Sequence, residues 1–371
     1  MSPFAHITGW GMAVPEQVLT NQDLASRMDT SDEWIQSRTG IKERRIASSD
    51  QTTATLAYQA AEQALQMARL KPTEVELIVV ATSSPEYLFP ATACLVQDRL
   101  GASNAGAFDL LAACSGFIFA LNLGTQAIRS GSIKNALIIG SETLSRLVDW
   151  TDRGTSILFG DGAGAFILQA REEPGGVISC VMRSDGSGGD LLCIPAGGSH
   201  SPASLETVSN GNHYIKMNGR EVFRFATRVM AQATQEAVSA AELKLDDIQL
   251  VIPHQANLRI IESALRNLSI PMDRCIVNLD RYGNTSTASI PIATCEAVNQ
   301  GRLKAGDKVV FVGFGAGLTW GAAVAIWSGL EPGERKPLPY RLRLYARLRS
   351  ILRKLLRRID ALIWGRHNPY I

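Results

Sequence analysis

Short apolar runs alternate with segments of helical periodicity between residues 3 and 328. The runs include ELIVVATSS, NALIIGSE, GAFILQA, LVIPHQA, KVVFVGFG and AAVAIW, and several are apolar without interruption. Uninterrupted apolar strands are typical of sheets that are covered on both faces. Strands that alternate with helices predict an α/β fold.

The order of these elements occurs twice. Leu77 in VELIVVA corresponds to Leu250 in DIQLVIP, 173 residues later, and Leu137 in KNALIIG corresponds to Val309 in DKVVFVG, 172 residues later. Each half closes on a Gly-rich turn and a strand, GDGAGAFILQ in one and GFGAGLTWGAAVAIW in the other. We therefore predict a duplicated α/β body, with residues 1–173 as its first half and residues 174–330 as its second.

Residues 331–371 depart from this pattern. A Pro-rich linker, EPGERKPLP, leads into a segment from Tyr340 to Trp364 with apolar residues at spacings of three and four, namely Leu344, Leu348, Ile351, Leu355, Ile359 and Leu362. Interleaved with them are Arg343, Arg347, Arg349, Arg353, Lys354, Arg357 and Arg358. A basic amphipathic helix of this kind lies on anionic membrane surfaces, so we expect a peripheral membrane contact through residues 340–364. The pattern also suits a helix that packs on the body, pairs with a second copy, or recruits an acidic carrier protein.

The net charge of +2 hides an asymmetry. Residues 331–371 hold 11 Lys or Arg and three acidic residues, a net of +8, so the rest of the chain carries 2 − 8 = −6. Because the basic character belongs to the tail, we expect no nucleic-acid partner for the body.

Composition and cysteine spacing narrow the class of protein further. The sequence has no run of eighteen apolar residues, so we predict no transmembrane helix. The N-terminus lacks the basic and apolar regions of a signal peptide. The six cysteines occur without C-x-x-C pairs, which argues against a zinc site or a disulfide framework. We expect a cytoplasmic protein with no bound metal.

Cys114 is the most informative residue of the chain. In FDLLAACSGFIFALNLGTQAI an apolar run meets small residues and then a helical pattern, so the thiol is predicted near a helix N-terminus. The positive end of a helix dipole stabilises a thiolate, the form of cysteine that attacks carbonyl carbons. The alternative is that Cys114, like the five other cysteines, is a small buried apolar residue.

Two polar stretches also interrupt apolar runs. PHQAN contains His254 after a predicted strand, and YGNTSTAS contains Asn284 before the helix that corresponds to the one after Cys114. Ligands of open parallel sheets collect at the carboxyl ends of strands, so we predict a Cys-His-Asn acyl-transfer site shared between the halves. Taken alone, each residue has a structural alternative: a buried histidine with satisfied hydrogen bonds, or an asparagine that caps a helix.

Eight motifs in order resemble β-ketoacyl-acyl carrier protein synthase III, a condensing enzyme of fatty-acid synthesis. They are GWGMAVPEQVLTN, SDEWIQSRTGIKERRIA, FDLLAACSGF, DRGTSILFGDGAGA, MNGREVFRFA, IPHQANLRI, NLDRYGNTSTASIP and GFGAGLTWG. The resemblance covers residues 5–328 and implies the thiolase fold, a duplicated five-layer α/β/α/β/α arrangement, here followed by the basic helix. It also implies a homodimer.

The resemblance implies a decarboxylating Claisen condensation with no cofactor. Cys114 takes an acyl group from acyl-CoA, and malonyl-acyl carrier protein then loses carbon dioxide and attacks that acyl group, with ping-pong kinetics. His254 and Asn284 donate hydrogen bonds to the thioester oxygen of malonyl. The backbone N–H groups of Cys114 and Ala316 form the second oxyanion hole, and Phe314 shields the nucleophile. Most members have glycine where Ala316 stands.

The binding residues are also implied by resemblance. Trp34, Arg38 and Arg153 match the positions that hold CoA. The residues alone place Trp34 and Arg38 on one helix face, after a capping box of Thr30 and Glu33. Arg224, Arg259 and Arg266 occupy positions that match or lie near those of acyl carrier protein contact, and Phe89 matches the residue that caps the acyl pocket of the dimer mate.

Two rival functions stay open at this point. One is a thiolase-superfamily acyltransferase or specialised condensing enzyme with another donor or acceptor. The other is a membrane-associated, non-catalytic acyl-binding scaffold, which has no need to keep Cys114, His254 and Asn284 together.

Overall fold

The computed structural model describes residues 2–329, 348–353 and 355–359. In this part of the chain the strands are β1 (Phe4–Ala13), β2 (Val18–Thr20), β3 (Glu43–Arg45), β4 (Leu77–Ala81), β5 (Gly106–Leu110), β6 (Asn135–Thr143), β7 (Asp161–Arg171), β8 (Gly176–Ser184), β9 (Leu192–Cys193), β10 (Lys216–Met217), β11 (Leu250–Pro253), β12 (Lys308–Gly315) and β13 (Thr319–Ile326). The helices of the body are α1 (Asn21–Ala25), α2 (Asp32–Thr39), α3 (Thr53–Ala68), α4 (Thr92–Leu100), α5 (Gly116–Arg129), α6 (Leu205–Ser209), α7 (Gly219–Ala240), α8 (Leu258–Leu268), α9 (Leu279–Tyr282) and α10 (Ser289–Asn299).

Two sheets with the same strand order organise the body. The first has the order β1-β7-β6-β4-β5 and the second the order β8-β13-β12-β11. The β4–β6 and β11–β12 pairs are parallel, and the outer pairs β7–β1 and β13–β8 are antiparallel. A parallel bridge between Val251 and Cys275 stands where β5 stands in the first sheet. The predicted duplication of an α/β unit is confirmed.

The register of the two sheets corrects one detail of the predicted repeat. Leu77 pairs with Ala136, and Leu250 pairs with Val309. With Leu77 matched to Leu250, Val309 corresponds to Ala136, so the predicted correspondence of Val309 with Leu137 is off by one residue. Both strands are buried on both faces, so they lack the alternation of apolar and polar residues that would distinguish neighbouring registers.

The elements stack in five layers, α/β/α/β/α, which is the thiolase fold. Helices α3 and α4 cover the outer face of the first sheet, α5 and α10 lie between the sheets, and α7 and α8 cover the second sheet. Aromatic rings cross the central layer: Phe117 of α5 meets Phe166 of β7 edge-on, with ring centroids 5.0 Å apart, and Phe166 lies 5.8 Å from Phe311 of β12.

A close backbone approach joins the halves beside the predicted site. Gly140 of β6 lies against the 3₁₀ turn Ser286–Ala288 of the second half, where an added Cβ would lie 2.2 Å from the Thr287 carbonyl oxygen. A side chain at this position would displace the turn. The sequence YGNTSTAS is thereby held at the carboxyl end of the first sheet.

Each of the two large sheets is built from one of the two predicted halves of the chain. Strands β1 to β7 lie within residues 1–173, and β8 with β11 to β13 lies within residues 174–330. The His6 ring crosses the boundary, bonding to the Ser328 hydroxyl and the Glu173 carbonyl, each at 2.9 Å. A boundary near residue 173 stays a prediction, which the composition of the sheets supports.

A C-terminal helix covers residues 348–353 and 355–359, and the rest of the predicted 340–364 segment lies outside the described residues. Its exposed apolar side chains are those of Leu348, Ile351, Leu352, Leu355, Leu356 and Ile359. The Ser350 hydroxyl donates to Asp98 at the end of α4, at 2.6 Å. Since each residue advances about 100° around a helix, Ser350 lies opposite the centre of the apolar stripe. No helix among the described residues has the length and apolar character needed to cross a bilayer.

Candidate active site

Cys114 lies between β5 and α5. The strand ends at Leu110, a 3₁₀ turn covers Ala113–Ser115, and α5 begins at Gly116, as the local pattern predicts. Ala113 has a φ of +45°, a conformation that is uncommon for a residue with a side chain. This turn places the thiol at the carboxyl end of the first sheet, where it is buried.

The expected thiolate is wrong for the resting site. Burial raises the pKa of the Cys114 thiol to about 12, although a hydrogen bond from Ser286 lowers it. The nearby Glu142 carboxylate raises it further. Burial removes the hydration of a sulfur anion, so the thiol with this raised pKa is protonated at neutral pH.

His254 directly follows β11, and its ring is held by one hydrogen bond. Nδ1 lies 2.8 Å from the Ser289 hydroxyl at the start of α10, and Nε2 is buried without a partner among the described residues. Burial lowers the pKa of His254 to about 3, so the ring is neutral. When the Ser289 hydroxyl donates to Nδ1, the ring proton resides on Nε2, which becomes a free donor.

Asn284 is oriented by its neighbours in the same way. Its Oδ1 accepts the Ser286 backbone N–H at 2.9 Å, which leaves the side-chain NH₂ group as a donor. Its backbone bonds to the first half, from Asn284 N–H to the Leu158 carbonyl at 2.8 Å and from Gly160 N–H to the Asn284 carbonyl at 3.0 Å. The second-half asparagine is thus fixed to a first-half segment.

One small cavity brings the three predicted residues together. Cys114, His254 and Asn284 all line a space of about 90 Å³. Phe314 lines it too, and its ring packs edge to face on His254 with centroids 5.4 Å apart. A thiol and two oriented N–H donors therefore face one small volume.

A larger cavity of about 500 Å³ also opens at Cys114. Its walls are mainly apolar and include Leu144, Leu147, Phe159, Leu192, Ile194 and Ile215. Cys114 lines both cavities, so a group attached to its sulfur has an apolar space on one side and the hydrogen-bond donors on the other.

The end of β12 packs directly on the backbone of Cys114. A Cβ added to Gly315 would lie 2.6 Å from the Cys114 nitrogen, and Ala316 lines the large cavity beside the thiol. The predicted pair of backbone donors, Cys114 and Ala316, therefore lies at one place.

Trp34, Arg38 and Arg153 form a cluster. The Arg38 guanidinium lies 4.6 Å from the Trp34 ring centroid and that of Arg153 lies 5.1 Å from it. Arg153 also forms an ion pair with Asp29 at 3.2 Å. Trp34 and Arg38 lie on one face of their helix, as predicted.

The predicted capping box of Thr30 and Glu33 is wrong. Helix α2 begins at Asp32, and its N-cap is Ser31, whose hydroxyl accepts the Trp34 N–H at 3.1 Å. Ser31 has the extended backbone of an N-cap residue, so its hydroxyl, and not that of Thr30, reaches the third N–H of the helix.

The arginines predicted to contact a carrier protein are all exposed. Arg259 lies over the ring of Phe223, which lines the small cavity, with 5.5 Å to the centroid. Arg224 pairs with Glu221 at 3.1 Å. Arg266 is two turns further along α8, roughly 10 Å from Arg259.

Phe89 is 86% exposed and is not among the residues that line the two cavities of its own chain. It neighbours other exposed apolar side chains, those of Tyr87 and Leu88. Its predicted role requires a second copy of the chain.

Three polar residues that shape the site were not predicted. Ser289 orients the His254 ring, and Ser286 lines the large cavity beside Cys114. Glu142, at the end of β6, is fully buried beside them. Ser286 and Ser289 belong to the YGNTSTAS motif, and Glu142 ends the apolar run NALIIGSE. A charged residue at the end of a buried strand was the signal in the sequence that could have indicated Glu142.

Comparison with known proteins identifies relatives along the body of the chain. A family model described as 3-oxoacyl-[acyl-carrier-protein (ACP)] synthase III matches residues 108–186, and its C-terminal counterpart matches residues 238–327.

Individual relatives extend this match. A β-ketoacyl-[acyl-carrier-protein] synthase III from Roseiflexus sp. (strain RS-1) is 52% identical over 328 residues, covering 88% of this chain and 100% of the relative. One from Desulfitobacterium hafniense (strain DSM 10664 / DCB-2) is 54% identical over 322 residues, 87% of this chain and 97% of the relative. The crystal structure of 3-oxoacyl-[acyl-carrier-protein] synthase III from Aquifex aeolicus VF5 is 46% identical with a TM-score of 0.81, covering 87% of this chain and 100% of that one.

Proposed function

The chain belongs to the 3-oxoacyl-[acyl-carrier-protein] synthase III family, and we propose that it condenses an acyl-CoA with malonyl-acyl carrier protein through an acyl group on Cys114. It is an acyltransferase of the condensing type. One observation carries the assignment of roles: Cys114, His254 and Asn284 line a single small cavity.

In the first half-reaction the Cys114 sulfur attacks the carbonyl carbon of acyl-CoA. The bond from that carbon to the CoA sulfur breaks, and the acyl group stays on Cys114. Because burial holds the thiol protonated, its proton has to leave as the new bond forms. The backbone N–H groups of Cys114 and Ala316 stabilise the oxyanion of this step.

In the second half-reaction malonyl loses carbon dioxide and leaves negative charge on its thioester oxygen. The Nε2–H of His254 and the NH₂ group of Asn284 both donate toward the small cavity, so they stabilise this enolate. A neutral histidine can perform this task, since its one N–H on Nε2 is available to the enolate while Nδ1 is held by Ser289. The enolate carbon attacks the acyl group on Cys114, and the C–S bond breaks to release the 3-oxoacyl product.

The cluster around Trp34 is our candidate site for the adenine and phosphates of CoA. Guanidinium groups stack on aromatic rings and bind phosphate, and here two of them already lie over one indole. We place the acyl carrier protein, an acidic partner, at the exposed Arg224, Arg259 and Arg266.

The large cavity is proposed to hold the acyl chain. Its aliphatic walls match a hydrocarbon, and Cys114 on its wall would carry the acyl carbonyl into it. A non-catalytic scaffold has no use for two oriented donors beside a thiol, so the geometry favours the condensing enzyme over that rival.

We propose a homodimer formed through β5. This strand is at the edge of its sheet, and the exposed apolar side chains of Tyr87, Leu88, Phe89, Phe108 and Leu111 lie on or beside it. Exposed sheet edges and large apolar patches are typical of interfaces. A second copy would cover them and bring its Phe89 to the acyl cavity.

We also propose a cytoplasmic enzyme held at an anionic membrane surface by its C-terminal helix. The apolar stripe faces away from the body, because Ser350 on the opposite face bonds to Asp98. Asp109 at the end of β5 binds the N-terminus of α4, so the other end of α4, with Asp98, lies away from the catalytic end of the sheet. A membrane there leaves the site open to its substrates.

Intact mass spectrometry tests the condensing function. The protein is incubated with acyl-CoAs of different chain lengths, and we expect the mass of one acyl group to be added to the wild type but not to Cys114→Ala. Malonyl-acyl carrier protein should then remove the label as a 3-oxoacyl product. Failure of every acyl-CoA to label the wild type would contradict the proposal.

A further inference from the structure

Glu296 of α10 is a buried carboxyl group that the reaction outlined above does not use. It accepts four hydrogen bonds from the segment just before Asn284. Arg281 donates to its two oxygens at 2.7 and 2.8 Å, the Tyr282 hydroxyl donates to Oε1 at 2.8 Å, and the Asn278 side chain donates to Oε2 at 2.8 Å. Because a carboxylate accepts about four hydrogen bonds, its acceptor sites are filled.

The segment held in this way places Asn284. It contains α9, a helix of one turn, and the bond from the Gly283 N–H to the Leu279 carbonyl, at 2.9 Å, closes that turn. Asn284 is the next residue. A single turn has little stability of its own, so the position of α9 depends on the groups that hold it.

Gln255 connects His254 to the same segment. Its side-chain NH₂ group donates to the carbonyls of Pro253 and Ile276, at 2.8 and 3.0 Å, and its Oε1 accepts the Asn278 N–H at 3.0 Å. Gln255 is buried and directly follows His254. Asn278 therefore bonds to the histidine segment through its backbone and to α10 through its side chain.

Ser289 completes the connection at the other end of α10. It lies seven residues before Glu296, which is about two turns, so the two side chains project from one face of the helix. The Ser289 hydroxyl lies 2.8 Å from His254 Nδ1. Hydrogen bonds and chain segments thus form a closed circuit through His254, Gln255, Asn278, Glu296 and Ser289.

We propose that Glu296 and Asn278 are positioning residues that fix the separation between the two enolate donors, His254 and Asn284. Neither side chain of the pair lines the small cavity, so they act through α9 and Gln255. Both donors have to reach one oxyanion, and a misplacement of about 1 Å can cost about a hundredfold in rate. Cys114 belongs to the other half of the chain and is not part of the circuit. The inference rests on the proposed function.

The test measures the two half-reactions separately in the full-length enzyme. Acylation of Cys114 by butyryl-CoA and octanoyl-CoA is followed by quenched intact mass spectrometry, and consumption of malonyl-acyl carrier protein by the acylated enzyme is followed by the mass of the carrier. In Glu296→Gln an NH₂ group replaces an oxygen that accepts two hydrogen bonds, and Asn278→Ala removes the side-chain link. We expect both variants to consume malonyl-acyl carrier protein at least about tenfold more slowly, with acylation within about twofold of wild type.

Two further variants make the comparison specific. The Glu76 carboxylate accepts the N–H groups of Lys134 and Asn135, at 2.6 and 3.2 Å, at the amino end of the first sheet. Glu76→Gln is the matched control, and both of its rates should equal those of wild type. Arg281→Lys keeps a positive charge on a part-exposed side chain but loses the two parallel bonds to Glu296, so its loss in the second half-reaction should be smaller than that of Glu296→Gln.

Equal slowing of both half-reactions in Glu296→Gln would overturn the proposal, since a role in stability alone reduces them together. Wild-type consumption of malonyl-acyl carrier protein by Asn278→Ala and Arg281→Lys would do the same, and these variants decide the matter if Glu296→Gln does not fold. Failure of the proposed function has a different result: the wild type itself is not acylated and does not consume malonyl-acyl carrier protein, and the inference falls with it.

Discussion

The Nδ1 atom of His254 and the hydroxyl of Ser289 lie 2.8 Å apart, inside the protein and between a strand end and a helix start. The contact decides what the histidine can do. Burial keeps the imidazole neutral, and when the Ser289 hydroxyl donates to Nδ1 the ring proton is on Nε2, in the cavity shared with Cys114 and Asn284.

Replacement of Ser289 by alanine should impair the second half-reaction alone. Without its partner the His254 ring can carry its proton on either nitrogen, and a hydrogen bond of this kind contributes about 1 kcal/mol. We expect decarboxylation of malonyl-acyl carrier protein to slow about five- to tenfold, with acylation of Cys114 retained. Separate assays of the two half-reactions check this, and equal slowing of both would contradict it.

His254 should also make the folded state sensitive to acid. Its pKa is lowered to about 3 by burial, so between about pH 3 and 6.5 the unfolded chain binds more protons than the folded one. Its contribution is complete above pH 6.5 and is lost as the pH falls, by about 2 kcal/mol at pH 5. Urea unfolding at pH 7.5 and 5.0 should show this loss in wild type and not in His254→Asn. The same pH dependence in both proteins would be evidence against a neutral buried ring.

Gly315→Ala should nearly abolish activity. The new Cβ would lie 2.6 Å from the Cys114 nitrogen, so the turn or the nucleophile has to move. We expect kcat to fall by about a hundredfold or more, the cost of losing one oxyanion donor. Gly186→Ala is the matched control, because a Cβ there meets nothing within 4 Å. Retained kcat in Gly315→Ala would show that the backbone donors are placed elsewhere.

Trp34→Ala should weaken the use of acyl-CoA and leave the chemistry intact. The indole is the ring over which Arg38 and Arg153 lie, so its loss removes the proposed stacking surface for adenine. The KM for acyl-CoA should rise about tenfold, in line with about 1–3 kcal/mol for stacking of a base on an aromatic ring. Iodoacetamide alkylation of Cys114 is the control, and Trp34→Phe should recover most of the affinity.

The C-terminal helix should bind anionic vesicles. Phosphatidylglycerol vesicles are expected to sediment the wild type at low salt, and the double variant Leu352→Asp, Leu355→Asp should stay in the supernatant with normal condensation. Ser350→Ala serves as the control, since it leaves the apolar stripe unchanged. Equal sedimentation with neutral phosphatidylcholine, or none with either lipid, would argue against a membrane role.

The fold could be predicted because its signals are local and repeated. Apolar runs such as VELIVVA and DIQLVIP carry the strand pattern twice, and the order of elements is enough to indicate duplication. The register was missed by one residue, between Ala136 and Leu137, because strands buried on both faces lack alternation.

The candidate site, too, could be predicted only in part. The sequence by itself determined the placement of Cys114, His254 and Asn284 at strand and helix ends, since turn-forming and apolar residues show locally where elements stop. The protonation state of the thiol, the hydrogen bond between His254 and Ser289 and the contact of Glu142 with Thr287 were decided only by the tertiary structure. Burial and hydrogen bonding between distant segments set these properties, and both depend on which side chains the fold brings together from the two halves.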